Sequence, residues 1–276
     1  MKTSKMCAIF SNQHEYSRLK PLTDERALST LYFAGKYRLM DFALSSIVNA
    51  DINHVYTLIS QEKVRSYLDH LGGGKEWGLD TIGSYEYLDF YQNLMRRRSR
   101  GENYFDDVIF FLKTCKMPYT VFIGNKMAAN FDLKAILHFH QSNDNRITPV
   151  FKRVEKDKRD SLLYGNQKII TRIRNEVGTY YDKESDVKNT LISTGCTVKG
   201  EIKNSIVSRR VNFAKDSVAK NAVIMANCKI KSGADVEYAI LDKNVVIEKG
   251  VTVKGKPDSP VVIKKGSVIS KDFVLD

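Results

Sequence analysis

Glycines, scattered cations and lone carboxylates are the residues of this sequence that could do chemistry, and each has a plain structural use beside the chemical one. His70-Leu71-Gly72-Gly73-Gly74-Lys75-Glu76-Trp77 sets three glycines before a lysine. Consecutive N–H groups without Cβ atoms could cradle an anion, but without a strand leading into them the same residues make a turn held by Trp77. Arg96-Arg97-Arg98-Ser99-Arg100 concentrates positive charge at the close of a helix-like stretch, where cations complement the helix dipole. Asp132 could hold a hard cation, yet a single carboxylate just before Leu133 suits a helix N-cap better. The four cysteines, Cys7, Cys115, Cys196 and Cys228, stand singly, without zinc-site spacing, and are expected as reduced, buried thiols.

The elements that would position these groups change character along the chain. Apolar, β-rich runs at Cys7–Phe10, Val55–Ile59, Tyr119–Ile123 and Ile147–Phe151 predict strands, the first three of them buried. Leu39, Phe42, Ala43, Ile47 and Ala50 share one face of a helix expected from about Tyr37 to Asn49. Further helices are expected over Glu86–Arg98 and Leu133–Gln141. Strands alternating with helices predict a Rossmann-like α/β domain with a mainly parallel sheet, and ligands gather at the carboxyl ends of such strands. The loops after Phe10 and Ile123 are therefore where chemistry is expected.

After about residue 188 the helical period stops. Ile230-Lys-Ser-Gly233-Ala-Asp-Val236, Ile247-Glu-Lys-Gly250-Val-Thr-Val253 and Ile263-Lys-Lys-Gly266-Ser-Val-Ile269 superpose as an apolar residue, glycine three later and another apolar residue six later. Val218 to Ile224 and Ile192 to Val198 extend the sixes. One inward β-branched residue per six lets flat faces stack on the next coil, and glycine permits the corner between faces. The pattern resembles the left-handed parallel β-helix of hexapeptide-repeat proteins, with an antiparallel sandwich as the competing fold. All five histidines, His14, His54, His70, His138 and His140, precede the repeats, which argues against a hexapeptide acyltransferase with its base in the coils. The domains expected are 1–165 α/β, 166–188 linker and 189–276 β-helix. The net charge of +12 is shared between both halves and accompanied by no nucleic-acid-binding motif. No apolar run approaches the length of a membrane span, so a cytoplasmic protein is expected, with no membrane and no nucleic acid among its partners.

Arg18-Leu19-Lys20-Pro21-Leu22-Thr23 followed by Gly35-Lys36-Tyr37-Arg38-Leu39-Met40-Asp41-Phe42 resembles the opening of ADP-glucose pyrophosphorylase, the glucose-1-phosphate adenylyltransferase family. Asp186–Cys196 is similar to that family's entry into its own left-handed β-helix. The resemblance implies a nucleotidyltransferase-like domain that uses ATP and Mg²⁺ to turn glucose 1-phosphate into ADP-glucose and pyrophosphate. Its motifs are altered here. The family's glycine-rich phosphate loop is replaced by Gln13-His14-Glu15-Tyr16-Ser17, and its metal carboxylate by Asn125 in Gly124-Asn125-Lys126. A large block after Val154, which in the family builds much of the glucose-1-phosphate side of the cleft, is missing, and Glu155-Lys156 resembles a Phe-x-Glu-Lys-Pro sugar-site motif only superficially, without the surrounding residues.

Such losses on a retained scaffold resemble the family's GlgD-type subunit, as does the His70–Asp80 segment. The resemblance implies a modulatory chain of glycogen synthesis with no catalytic residues, no metal and no cofactor of its own, assembled with a catalytic pyrophosphorylase subunit and able to self-associate through its β-helix. Arg18, Lys20, Lys36 and Arg38 are the remaining anion-binding candidates, although Lys36 and Arg38 could equally cap a helix start. The alternative is an active sugar-phosphate nucleotidyltransferase in which Asp41 or Asp132 replaces the lost metal ligand.

Overall fold

The computed structural model describes residues 4–12, 19–81, 83–124, 128–151, 171 and 176–275. The chain divides into two compact units, one of residues 1–16, 25–31 and 38–172, the other of residues 17–24, 32–37 and 173–276. In chain order the N-terminal elements are β1 (Met6–Ser11), the short pair β2 (Tyr32–Phe33) and β3 (Tyr37–Arg38), α1 (Leu39–Asn49), β4 (His54–Ile59), α2 (Val64–Leu71), β5 (Tyr85–Phe90), α3 (Tyr91–Ser99), α4 (Asp106–Cys115), β6 (Tyr119–Gly124) and α5 (Leu133–Ser142).

Strands β5-β4-β1-β6 form one parallel sheet in that order. Strand alternation sends Met6, Ala8 and Phe10 to one face, with Val55, Ile59 and Ile123, against Met40, Ala43, Leu44 and Ile47 of α1, Leu71 of α2 and Leu133 of α5. Cys7, Tyr56 and Leu58 face the other way, against Leu94 of α3 and Phe111 and Cys115 of α4. Each such side chain contributes roughly 1.5–3 kcal/mol by leaving water. Helix ends are signalled locally. Asp132 accepts from the backbone N–H groups of Lys134 and Ala135, capping α5 as its position implied. Gly72, at φ 57°, ends α2 in the left-handed conformation.

Four expectations need correction. Helix α1 begins at Leu39 because Arg38, with φ −118° and ψ 156°, is still extended. The stretch expected as one helix from Glu86 is strand β5 followed by α3; Leu88 and Phe90 pack on one face of the sheet and Tyr85 and Tyr87 on the other, a period of two that the polar Glu86 and Asp89 conceal. Ile147–Phe151 forms no strand, since Pro149 has no N–H to give a ladder and the apolar residues around it are exposed. Strand β6 is not buried but lies at the sheet edge with one side open.

The second unit is a parallel β-helix of three sheets, with six, six and five strands, in which every strand pairs with the one three further along. Its axis is filled by one inward residue per face and coil: Val198, Phe213, Ile230 and Ile247 on the first face, Ile202, Ala219, Val236 and Val253 on the second, Val207, Ile224, Leu241 and Ile263 on the third. Cys196 and Cys228 are buried in the same core, and all four cysteines of the chain are free thiols. Left-handed backbone turns the corners. Asn189, Asn204 and Asn221 adopt φ of 47°, 48° and 52°, and Gly233, Gly250 and Gly266 φ of 68°, 71° and 74°. The first coil starts at Tyr180–Tyr181, inside the stretch read as linker, because its turn is made by Lys183–Ser185 without the glycine that marks later coils.

One repeat sits elsewhere than its sequence match implied. Ile263 does not continue the Ile230–Ile247 column but lies under Leu241 on the third face, and Ile269 takes the place beside Ile247. Extra residues around Lys256–Ser259, which fold into a small antiparallel bridge, displace the count by one face.

Candidate functional site

In the α/β unit the carboxyl ends of β1, β4 and β6 meet where Ser11 pairs with Leu58 on one side and Gly124 on the other. Asn12 follows directly, its N–H donating to Leu58 O at 2.8 Å. Its side-chain amide is 4% exposed, and among the described residues neither Nδ2 nor Oδ1 has a hydrogen-bond partner. Leaving such groups unpaired costs on the order of 1–3 kcal/mol each. Arg18 and the loop residues Gln13–Ser17, like Asn125 at the end of β6, lie outside the described residues.

The loop that returns from β6 is held firmly to α1. Ser46 Oγ donates to Phe42 O at 2.9 Å, lies 3.1 Å from Asn130 Oδ1 and accepts from the Phe131 N–H at 2.8 Å. At the other end of the same helix Asp41 is fully buried. Its Oδ2 accepts the Arg38 N–H at 2.8 Å, and its Oδ1 lies 2.6 Å from His70 Nε2. The His70 ring in turn stands edge-on to Trp77 at 5.5 Å. This pair explains the glycine triad. Gly72, Gly73 and Gly74 all have positive φ, and a Cβ on Gly74 would lie 2.8 Å from Leu79 Cβ, so the glycines make the tight turn that carries the chain from His70 to Trp77.

The basic candidates take separate roles. Arg38 is 5% exposed, and its Nη1 donates to Thr30 O at 2.8 Å, tying the start of α1 to the 3₁₀ turn Leu28–Thr30. Lys20 and Lys36 belong to the β-helix unit and are exposed. Lys36 Nζ lies 5.5 Å from the Tyr37 ring. Gly35 beside it, at φ 72°, fits a space a side chain could not enter, for a Cβ there would approach Ser193 Oγ to 2.9 Å and Leu191 Cδ2 to 3.0 Å. With Lys243 Nζ 4.6 Å above the Tyr32 ring, residues 32–37 are clasped to the β-helix.

Sequence reasoning missed the Asp41–His70 contact, the Asn12 amide and the buried cations Arg26 and Lys63. An aspartate three residues into a helix was the only available signal. It also missed Glu86, whose carboxyl is held above the ordinary glutamate range by burial, with the Tyr67 hydroxyl donating to it at 3.2 Å. Among the described residues no three His, Cys, Asp or Glu side chains converge, and Asp41 is already engaged by a backbone N–H and an imidazole.

The nucleotidyl transferase family model matches residues 16–196, and a GlmU-like C-terminal hexapeptide model matches residues 176–259, so the class is a nucleotidyltransferase fold joined to a left-handed hexapeptide β-helix. The glycogen biosynthesis protein GlgD of Bacillus subtilis (strain 168) is 26% identical over 97% of this chain and 98% of its own length. That of Geobacillus stearothermophilus is 25% identical over 96% and 97%. The glucose-1-phosphate adenylyltransferase of Photobacterium profundum is 33% identical over 49% of this chain and 33% of its own. The chain belongs to the nucleotidyl transferase family and, within it, to the GlgD type of the ADP-glucose pyrophosphorylases. The match to the Bacillus protein runs over 339 positions, more than the 276 residues present, so part of that relative has no counterpart here. Among the described residues no helix is long and apolar enough to cross a membrane.

Proposed function

We propose that this chain is a modulatory subunit of glycogen synthesis that assembles with a catalytic glucose-1-phosphate adenylyltransferase and transfers no nucleotidyl group itself. The observation that carries the reading is the state of Asp41. It is the buried carboxylate at the start of α1 that could have stood in for the missing metal ligand, and it is held between the Arg38 N–H and His70. Withdrawing it to bind a cation would break both of these buried contacts, at a cost of several kcal/mol. The ligand Asp41 would have to replace is the hard, charged kind that phosphoryl chemistry needs, at the position where this sequence has the neutral Asn125. Transition-state stabilisation lost in this way lowers rates by orders of magnitude.

The clasp of residues 32–37 on the β-helix supports the same reading, because it gives a family motif a scaffolding use that survives loss of chemistry. The test is co-expression with a catalytic relative, followed by sizing of the mixture and assay of ADP-glucose formation with and without this chain. A stable mixed oligomer with altered kinetics is expected. Production of ADP-glucose from ATP and glucose 1-phosphate by the purified chain alone, at an ordinary enzymatic rate, would sink the proposal.

A further inference from the structure

Sheet edges in soluble proteins are normally guarded by lysine, proline, a bulge or a covering element. Strand β6, Tyr119-Thr-Val-Phe-Ile-Gly124, has no charge and no proline, and among the described residues it closes the four-stranded sheet with β1 as its neighbour. Tyr119 donates its N–H to Lys5 O, so alternation along a parallel ladder turns the backbone groups of Thr120 and Phe122 to the open side. The Phe122 side chain is 73% exposed, where a parallel sheet ordinarily has both faces covered.

The margin around the strand is apolar as well. His140 of α5 stands edge-on to Tyr119 at 5.5 Å and lies 2.8 Å from Thr148 Oγ1, which brings the segment with Ile147, Val150 and Phe151 beside the first residue of β6. Those three are 83%, 48% and 78% exposed, and Phe139 is 56% exposed. Taking about 200 Å² for a whole phenylalanine, the group leaves roughly 600 Å² of apolar side chain in water. Summed over the two faces that flank the strand, that approaches the ~800 Å² each partner contributes to a stable interface.

We infer that β6 pairs antiparallel with β6 of a second copy of this chain, about a twofold axis normal to the sheet. Twofold pairing sets Thr120 of one copy opposite Phe122 of the other on a shared face, so the exposed rings cover one another and the open backbone groups bond across the joint. Within Tyr119–Gly124 the strand carries no charged side chain to repel its copy, in a chain of net charge +12. The surface is distinct from the β-helix and does not depend on a catalytic partner.

Light scattering of the purified chain alone, from about 1 to about 100 μM, reads the prediction directly. Twice the chain mass of 31.5 kDa is expected at the upper end, with dissociation on dilution. Phe122→Lys should weaken the dimer roughly thirtyfold or more, as loss of a central aromatic anchor does. Thr120→Lys, at a second exposed position, should act the same way, both with unchanged circular dichroism and melting. Val268→Lys, at a site 60% exposed on the β-helix, should leave the dimer intact. A single-chain mass throughout, a dimer indifferent to both β6 variants, or a dimer lost through Val268→Lys would each overturn the inference.

Discussion

Asp41 decides how the N-terminal site reads, because one fully buried carboxylate serves two elements. Asp41→Ala removes the cap on the Arg38 N–H and the buried contact with His70, and about 3 kcal/mol should be lost in denaturant titration. An unchanged midpoint would show the contact to be incidental. Glu86 gives a prediction of opposite sign. Burial raises its folded pKa above the ordinary value, so the folded state binds the proton more tightly than the unfolded one. Its contribution is most favourable at low pH and is lost as pH rises through the raised folded value. Glu86→Gln should therefore stabilise the protein at neutral pH, with the gain over the parent disappearing below the ordinary glutamate range. A gain independent of pH would contradict the assignment. Neither residue was legible from the sequence, for an isolated aspartate or glutamate carries no sign of which distant histidine or tyrosine the fold will bring to it.

Elements were legible where a single period dominated. The apolar residues of α1 from Leu39 to Ile47 and the strands β1 and β4 announced themselves, while β5 was hidden because Glu86 and Asp89 interrupt its alternation. Helix α2 escaped notice with much of its surface polar, and α4 because Val-Ile-Phe-Phe-Leu reads as strand until the Asp106-Asp107 first turn is weighed. In the β-helix, Gly200 tests how tightly the coils stack. A Cβ there would lie 2.2 Å from Ser217 O, so Gly200→Ala should cost roughly 1–3 kcal/mol through backbone displacement. Gly233→Ala meets only the strain of φ 68°, about 1 kcal/mol. Equal losses at the two positions would mean that the coil contact is softer than it looks.

The whole molecule holds separate cores, one running along the β-helix axis and two flanking the parallel sheet. Each compact unit has buried apolar groups of its own among the described residues, so calorimetry should resolve two transitions, whereas one transition with matching calorimetric and van't Hoff enthalpies would show them to be a single cooperative body. Repeat spacing made the second unit readable from sequence; the first needed the structure, since its parallel sheet rests on pairings between strands far apart in the chain. The displaced count at Lys256–Ser259 has a practical corollary. The coil there absorbs extra residues at a corner while Val253, Ile263 and Ile269 keep their places on the three faces. The solenoid can thus be lengthened from outside without rewriting its axis, and that corner is the natural place to graft a tag or a reporter and leave every stacked layer as it was.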